Sequence, residues 1–189
     1  MKISSEKLIE KIKQEELKLN VLLLFGNDWG TIIGLTKTIY NYVKKKNNIG
    51  EIVYFDCKND KNISIKGLIN TQSLLYKAKF IVIKNISEKI CEELKNIHFS
   101  EDIVVINGEG IKPNSKIKKY FDTHRVFISV PCYELKKREK VKIIDTFLHN
   151  NKIVLTKDVY WYLVENISND YLILEGELEK ISVYGGSSL

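Results

Sequence analysis

The chain reads as an α/β protein, a mostly parallel sheet covered by helices on both faces and followed by a small three-helix domain. Three observations lead there. Five short apolar runs are continuous rather than alternating, as strands buried on both faces require. Helical patterns lie between those runs, which suits parallel strands joined by crossovers. Beyond Pro131 the strand-like runs stop and helical periodicity alone remains.

The first element is a charged amphipathic stretch, Glu6 to Leu17, whose Leu8, Ile9, Ile12 and Leu17 share one helical face. Strands are predicted at Val21 to Phe25, Ile52 to Phe55, Phe80 to Ile83, Ile103 to Ile106 and Val126 to Val130. Helices are predicted at Thr31 to Lys46, Ser64 to Leu75, Ser87 to Ile97 and Ser115 to Phe121. Pro131 follows the fifth strand and forbids its smooth continuation into a helix, so a domain boundary is expected after Cys132. The first domain is then 1–132 and the second 133–184. The second should hold helices Glu134 to Asn150, Thr156 to Asn166 with Thr156 as N-cap, and Asp170 to Val183 capped by Asn169 or Ser168. Residues 185–189, a Gly-Gly-Ser-Ser-Leu run, read as a flexible tail, and no internal repeat or low-complexity segment is found.

Composition narrows the function classes. With 189 residues and 44% hydrophobic content, the chain can bury one good core, or one core plus a small satellite. The 30 basic and 24 acidic residues leave a net charge of +6, nearly all of the cations being lysine, since Arg125 and Arg138 are the only arginines. That balance is compatible with a nucleic-acid neighbourhood without requiring one. Cys57, Cys91 and Cys132 are odd in number and widely spaced, and read as reduced, mostly buried thiols of a cytosolic protein. No signal-type h-region opens the chain and no run approaches membrane-spanning length, so a cytoplasmic protein without a membrane partner is expected.

The first strand flows into Gly26-Asn27-Asp28-Trp29-Gly30, where a nucleotide-binding α/β domain carries its phosphate loop. Counted from Gly26, such a loop needs Gly, Lys and Ser or Thr where the chain has Thr31, Ile32 and Ile33. The lysine charge and the Mg²⁺-binding hydroxyl are both missing. Nor does a strand end in paired acids. Phe80 to Ile83 runs into Lys84-Asn85, and Ile103 to Ile106 into Asn107-Gly108, so ATP hydrolysis is not expected. His98, His124 and His149 sit near predicted helix ends without metal-type pairing, where a cation is welcome. No catalytic residue, metal site or cofactor is assigned.

Asp28 and Asp56 stand just past strands and are candidates for a site at the carboxyl edge of the sheet. Turn chemistry and helix capping are the preferred reading of both. A small doubly wound enzyme binding a nucleotide or other small ligand near them is the rival function class. The lysine clusters Lys44-Lys45-Lys46 and Lys136-Lys137-Arg138 can touch DNA, or simply be solvated faces. At Asn70-Thr71-Gln72-Ser73-Leu74-Leu75-Tyr76-Lys77 large apolar side chains stand between polar flanks at the exit of a predicted helix. They suit insertion into a partner's pocket, unless Leu74 and Leu75 merely close the core.

At this point the order of the pieces resembles the delta subunit of the bacterial DNA polymerase III clamp loader, over nearly all of the chain. Leu23-Leu24-Phe25-Gly26-Asn27-Asp28 is similar to that family's opening strand and turn. Gln72-Ser73-Leu74-Leu75, ahead of Phe80 to Ile83 and Lys84-Asn85, resembles its clamp-binding segment. Asn169-Asp170, Leu174-Glu175 and Glu177-Leu178-Glu179-Lys180-Ile181 resemble the third helix of its lid domain. The resemblance implies a Rossmann-like AAA+-type domain with a three-helix lid. It also implies no ATPase of its own, within a DNA-directed DNA polymerase (nucleotidyltransferase) holoenzyme. Its implied partners are the sliding clamp, other clamp-loader subunits and, indirectly or weakly, DNA. Leu74 and Leu75 fall on the family's two anchors, with Ser73, Asn70 and Tyr76 beside them. The family usually has Phe at the second anchor and often Gln at the position of Asn70. Leucine buries less area and lacks an aromatic edge. Family members carry a third, collar domain, which is expected to begin about where this chain stops.

Overall fold

The computed structural model describes residues 1–14, 20–47, 49–60, 64–70, 78–86, 90–95, 97 and 101–184. Its contacts divide the chain into two compact units, Met1–Cys132 and Tyr133–Leu189.

In the first unit the elements run α1 (Ser5–Lys13), β1 (Val21–Gly26), α2 (Trp29–Asn47), β2 (Ile49–Asp56), α3 (Ile65–Asn70), β3 (Ala78–Lys84), α4 (Ile90–Lys95), β4 (Ile103–Glu109), α5 (Lys116–Thr123) and β5 (Ile128–Cys132). The five strands form one parallel sheet in the order β2-β3-β4-β1-β5. Alternation along each strand divides the apolar runs between two cores. Leu22 and Leu24 of β1 join Phe80, Val82, Val105 and Val130 beneath α1 and α2. Val21, Leu23 and Phe25 join Ile81, Ile83, Val104 and Ile106 on the other face, with α3, α4 and α5. Every β1 residue is buried, which is why its sequence shows no polar alternation.

Two expectations need correcting at the sheet's borders. β2 is an outer strand, and Tyr54 is 62% exposed on it, so its run is not buried on both faces. Pro131 lies inside β5, opposite Phe25, rather than after it. The reason is again alternation. Ser129 turns its backbone outward, accepting from the Ile3 N–H at 3.1 Å and donating to the Met1 carbonyl at 2.9 Å. Two residues on, Pro131 faces the same way, so its missing N–H costs no bond to β1.

The second unit holds α6 (Lys137–Asn150), α7 (Lys157–Asn166) and α8 (Tyr171–Tyr184) around Ile144, Leu148, Val164, Ile167, Leu174 and Leu178. Its helix ends differ in detail from expectation. α6 begins at Lys137 because the Glu139 carboxylate takes the Lys136 N–H at 2.8 Å. Thr156 occupies the N-cap of α7 without a side-chain bond. Asp170, rather than Asn169 or Ser168, caps α8 by accepting from the Ile173 N–H at 3.0 Å. Lys140 is buried and donates to the Ile167 carbonyl at 2.9 Å, satisfying the end of α7. The expected tail at 185–189 lies outside the described residues.

Candidate functional site

At the carboxyl edge of the sheet, β1 ends in Gly26 with φ near +149°. A Cβ there would stand 1.8 Å from the Cys132 carbonyl oxygen, so no side chain fits. Between Gly26 and Trp29 only Asn27 and Asp28 intervene before α2 begins. The Asp28 carboxylate turns into the first turn of α2, taking the Thr31 N–H at 2.9 Å and the Thr31 hydroxyl at 2.6 Å. It is 2% exposed. A helix N-terminus attracts anions through its free N–H groups and dipole, and here an internal carboxylate occupies that seat. A two-residue connection also gives no loop to wrap a phosphate. Cys132 lies alongside, its thiol pushed up to about 12 by burial and then by the Asp28 charge, so it is no nucleophile.

Asp56 plays a different part at the end of β2. Its carboxylate accepts from the Asn85 amide at 2.9 Å, the Lys58 N–H at 2.9 Å and the Asn59 amide at 3.0 Å. These bonds, Asn85 first, hold its acid below the usual carboxylate range. Asn85 sits at φ 52°, a left-handed conformation that asparagine tolerates, and the Asp56 bond ties the end of β3 to the end of β2.

Beside this knot is a cavity of about 470 Å³ lined by Trp29, Lys58, Lys84, Asn107, Glu109 and Ile111, among others. The Lys84 ammonium stands 5.7 Å from the Trp29 ring centroid and 5.3 Å from that of Tyr54, two cation–π contacts. Asn107 is buried against the Thr36 hydroxyl at 3.2 Å. Gly108 is also in its lining, and a Cβ there would meet the Ile111 side chain at 2.7 Å. Sequence reasoning placed none of Trp29, Lys58, Lys84 or Glu109 in a site. β4 runs three residues past Ile106, which brings Glu109 to the edge as a single acid.

The other singled-out residues fall as follows. His124 stands at a helix end, as the C-cap of α5. Its Nδ1 accepts from the Val126 and Phe127 N–H groups, both at 3.3 Å, and its ring stacks on Phe127 with centroids 3.7 Å apart. Burial and the neighbouring amino terminus push its pKa down. His149 is exposed in the last turn of α6, and His98 lies outside the described residues. Among the described residues no group of three His, Cys, Asp or Glu could hold a metal ion. Lys44 lies 5.6 Å over the Tyr40 ring, Lys136, Lys137 and Arg138 are exposed, and the side chains of Lys45 and Lys46 lie outside the described residues.

Of the anchor segment, Asn70 is the last residue of α3, its side chain not described, while Ser73, Leu74, Leu75 and Tyr76 lie outside the described residues. The flanks are described. Ile65 and Ile69 seat α3 in the core, and Ala78 opens β3. Among the described residues no helix is long and apolar enough to cross a membrane.

No family model matches the chain. In sequence it is 25% identical over 166 residues to the probable DNA polymerase III subunit delta of Rickettsia prowazekii (strain Madrid E). That alignment covers 87% of this chain and 50% of the relative, so the chain spans about half the relative's length. In fold it is similar to the DNA clamp loader delta protein of Bacillus subtilis, with a TM-score of 0.67 at 14% identity over 97% of this chain and 58% of that one. Domain III of the Thermotoga maritima replication initiation protein DnaA gives a TM-score of 0.52 at 15% identity, covering 97% and 83%. The likeness to the delta subunit thus extends along most of this chain's sequence, and the α/β architecture matches the folds of those delta and DnaA structures.

Proposed function

We propose that this chain is a delta-type clamp-loader component of DNA polymerase III, a non-catalytic AAA+-like module that binds the sliding clamp and helps open it during DNA replication in the cytoplasm. The observation that carries the reading is the corner of the sheet where Asp28 seals the N-terminus of α2, in a chain whose sequence follows a delta subunit over most of its length. A fold built to hold a triphosphate has filled that seat with its own carboxylate, which leaves binding as its work.

Leu74 and Leu75 are the proposed anchors, flanked by Ser73, Asn70 and Tyr76. Fully burying two leucines is worth about 3–6 kcal/mol. Driving a ring from almost wholly closed to almost wholly open takes a differential affinity of about 5.5 kcal/mol. The anchors therefore supply a free energy of the right order only if nearly all of it is realised in the open form, with no hydrolysis by this chain. Other loader subunits would control when the segment is presented, and DNA contact through Lys136, Lys137 and Arg138 would be weak and steeply salt-dependent.

Leu74→Ala/Leu75→Ala should weaken binding to the cognate clamp about 30-fold or more. Equal binding by the double variant and the wild type removes the anchor assignment. ATP turnover by the purified chain ends the non-catalytic reading.

The cavity beside Asp56 favours one second reading, a small nucleotide-like ligand stacked on Trp29 between Lys58 and Lys84. Calorimetric titration with ATP, ADP and dinucleotides separates the two. Micromolar, saturable binding lost in Lys84→Ala supports the second.

A further inference from the structure

Two aromatic rings and a lysine from three separate elements share one side of the sheet. In the parallel register of β2 and β3, Tyr54 lies opposite Val82, and Lys84 lies opposite Asp56. Val82 belongs to the core beneath α1 and α2, so Tyr54 and Lys84, each an even number of residues away, stand on that same face. Trp29 opens α2 and packs against the same core. Tyr54, on the outer strand, is nevertheless 62% exposed. The Lys84 ammonium stands over both rings, 5.7 Å from the Trp29 centroid and 5.3 Å from that of Tyr54. These distances are close to the outer limit of about 6 Å for a cation–π contact, so an anion draws the ammonium away at little cost.

On the Trp29 side lies the cavity of about 470 Å³. Asn107, 5% exposed, lines it, and the Thr36 hydroxyl meets one end of its amide at 3.2 Å. The other end of that amide has no partner among the described residues. No sealed side-chain nitrogen or oxygen among them lacks one, so this end opens onto the cavity. Lys58 and Lys84 are the cations of the described lining and Glu109 is its acid. Asp56 close by gives its oxygens to Asn85, Asn59 and the Lys58 N–H. An anion is therefore welcome on the lysine side of the cavity and repelled on the Glu109 side.

A free mononucleotide fits the cavity but leaves exposed Tyr54 unused. A ring inside, an ammonium, and a second ring outside repeat the order base, phosphate, base along a nucleic-acid strand. Only an unpaired strand offers its base faces to such rings.

We propose that this edge of the sheet binds single-stranded DNA. One base enters the cavity, stacks on Trp29 and meets the open end of the Asn107 amide. The next stacks on Tyr54, and the phosphate joining them draws Lys84 off both rings while Lys58 holds a neighbouring phosphate. Stacking accepts any base, so sequence preference is modest. The site is separate from Leu74, Leu75 and the Lys136, Lys137 and Arg138 cluster, and it does not rest on the clamp reading.

The test follows the fluorescence anisotropy of a labelled oligothymidylate of about twelve nucleotides with the full chain, over a series of salt concentrations. Saturable binding is expected, weakened about tenfold by Tyr54→Ala and restored by Tyr54→Phe. Lys84→Met and Lys58→Met should each lower the slope of log affinity against log salt by about 0.7. Glu109→Gln should tighten binding, a change of sign that a merely structural role does not produce. Trp29 and Trp161 are the chain's two tryptophans, so in a Trp161→Phe background the oligonucleotide should quench Trp29 emission. Duplex DNA of the same length should bind more weakly, and ATP should compete poorly. Absence of saturable binding overturns the proposal. So does binding that Tyr54→Ala and Lys84→Met both leave unchanged, which moves the DNA to another surface. If micromolar ATP quenches Trp29 and displaces the oligonucleotide, the site holds a free nucleotide and the strand assignment falls.

Discussion

Asp28 and Asp56 stand at the same edge of one sheet, each at the end of a strand, yet the fold uses them in opposite ways. Asp28 is buried and spends both oxygens on Thr31, closing the corner where a phosphate would sit. Asp56 lies at the surface and ties two strand ends together beside an open cavity. The same residue type at equivalent places therefore does not specify the same job. What separates them is how much of the edge the neighbouring backbone covers: the Cys132 carbonyl pins the β1 end, whereas β2 is an outer strand.

The contrast can be broken or sharpened experimentally. The largest effect belongs to Gly26→Ala, where a Cβ would collide with the Cys132 carbonyl at a φ that side chains resist. A loss of about 3 kcal/mol or more in urea unfolding is expected, and near-wild-type stability would show that the corner is not rigid. Next comes Asp28→Ala, which strands the Thr31 N–H and hydroxyl in a buried place and should cost about 1–3 kcal/mol. If the corner is closed mainly by this carboxylate, the same variant should also let inorganic phosphate raise the melting temperature, which it should not do for the wild type.

Asp56→Asn is expected to shift melting less than Asp28→Ala, because an amide oxygen keeps one acceptor and water serves the exposed donors. A larger shift than that of Asp28→Ala would invert the comparison. The smallest effects are those of pH. Asp56 ionises more readily in the folded chain than its ordinary value of 3.8, so its contribution is present above that value and is lost as the pH falls below it. His124 titrates below its ordinary 6.5 when folded, so its neutral ring stabilises above 6.5 and that part is lost as acid charges it. Melting followed by circular dichroism should fall gently below pH 6.5 and again in the acid range. His124→Gln should remove the first decline and leave the second.

Much of the sheet was legible because burial on two faces leaves a plain mark. β1, β3 and β4, the inner strands, read as unbroken apolar runs. The border strands were less legible. Tyr54 and Pro131 make sense only once β2 and β5 are known to be outermost, and strand order is a property of packing rather than of any local run. The absent phosphate loop was visible as missing glycine, lysine and hydroxyl residues. That Asp28 fills the seat was not, since a strand-end aspartate can cap a helix or line a site, and the choice depends on which backbone covers it. The cavity had no signature at all, because Trp29, Lys58, Lys84 and Glu109 come from four separate stretches of chain.

The sequence by itself determined the α/β class and the absence of a Gly-Lys-Ser/Thr phosphate-loop pattern after β1, because each depends on residue type at short spacing. Tertiary structure alone decided that Asp28 is sealed in while Asp56 stays at the surface, and that α3 is held from both ends by Glu93 and Lys79. The α3 contacts need groups 28 and 11 residues apart in the chain to meet, and the Asp28 corner needs Cys132 beside it, so only the packed sheet brings them together.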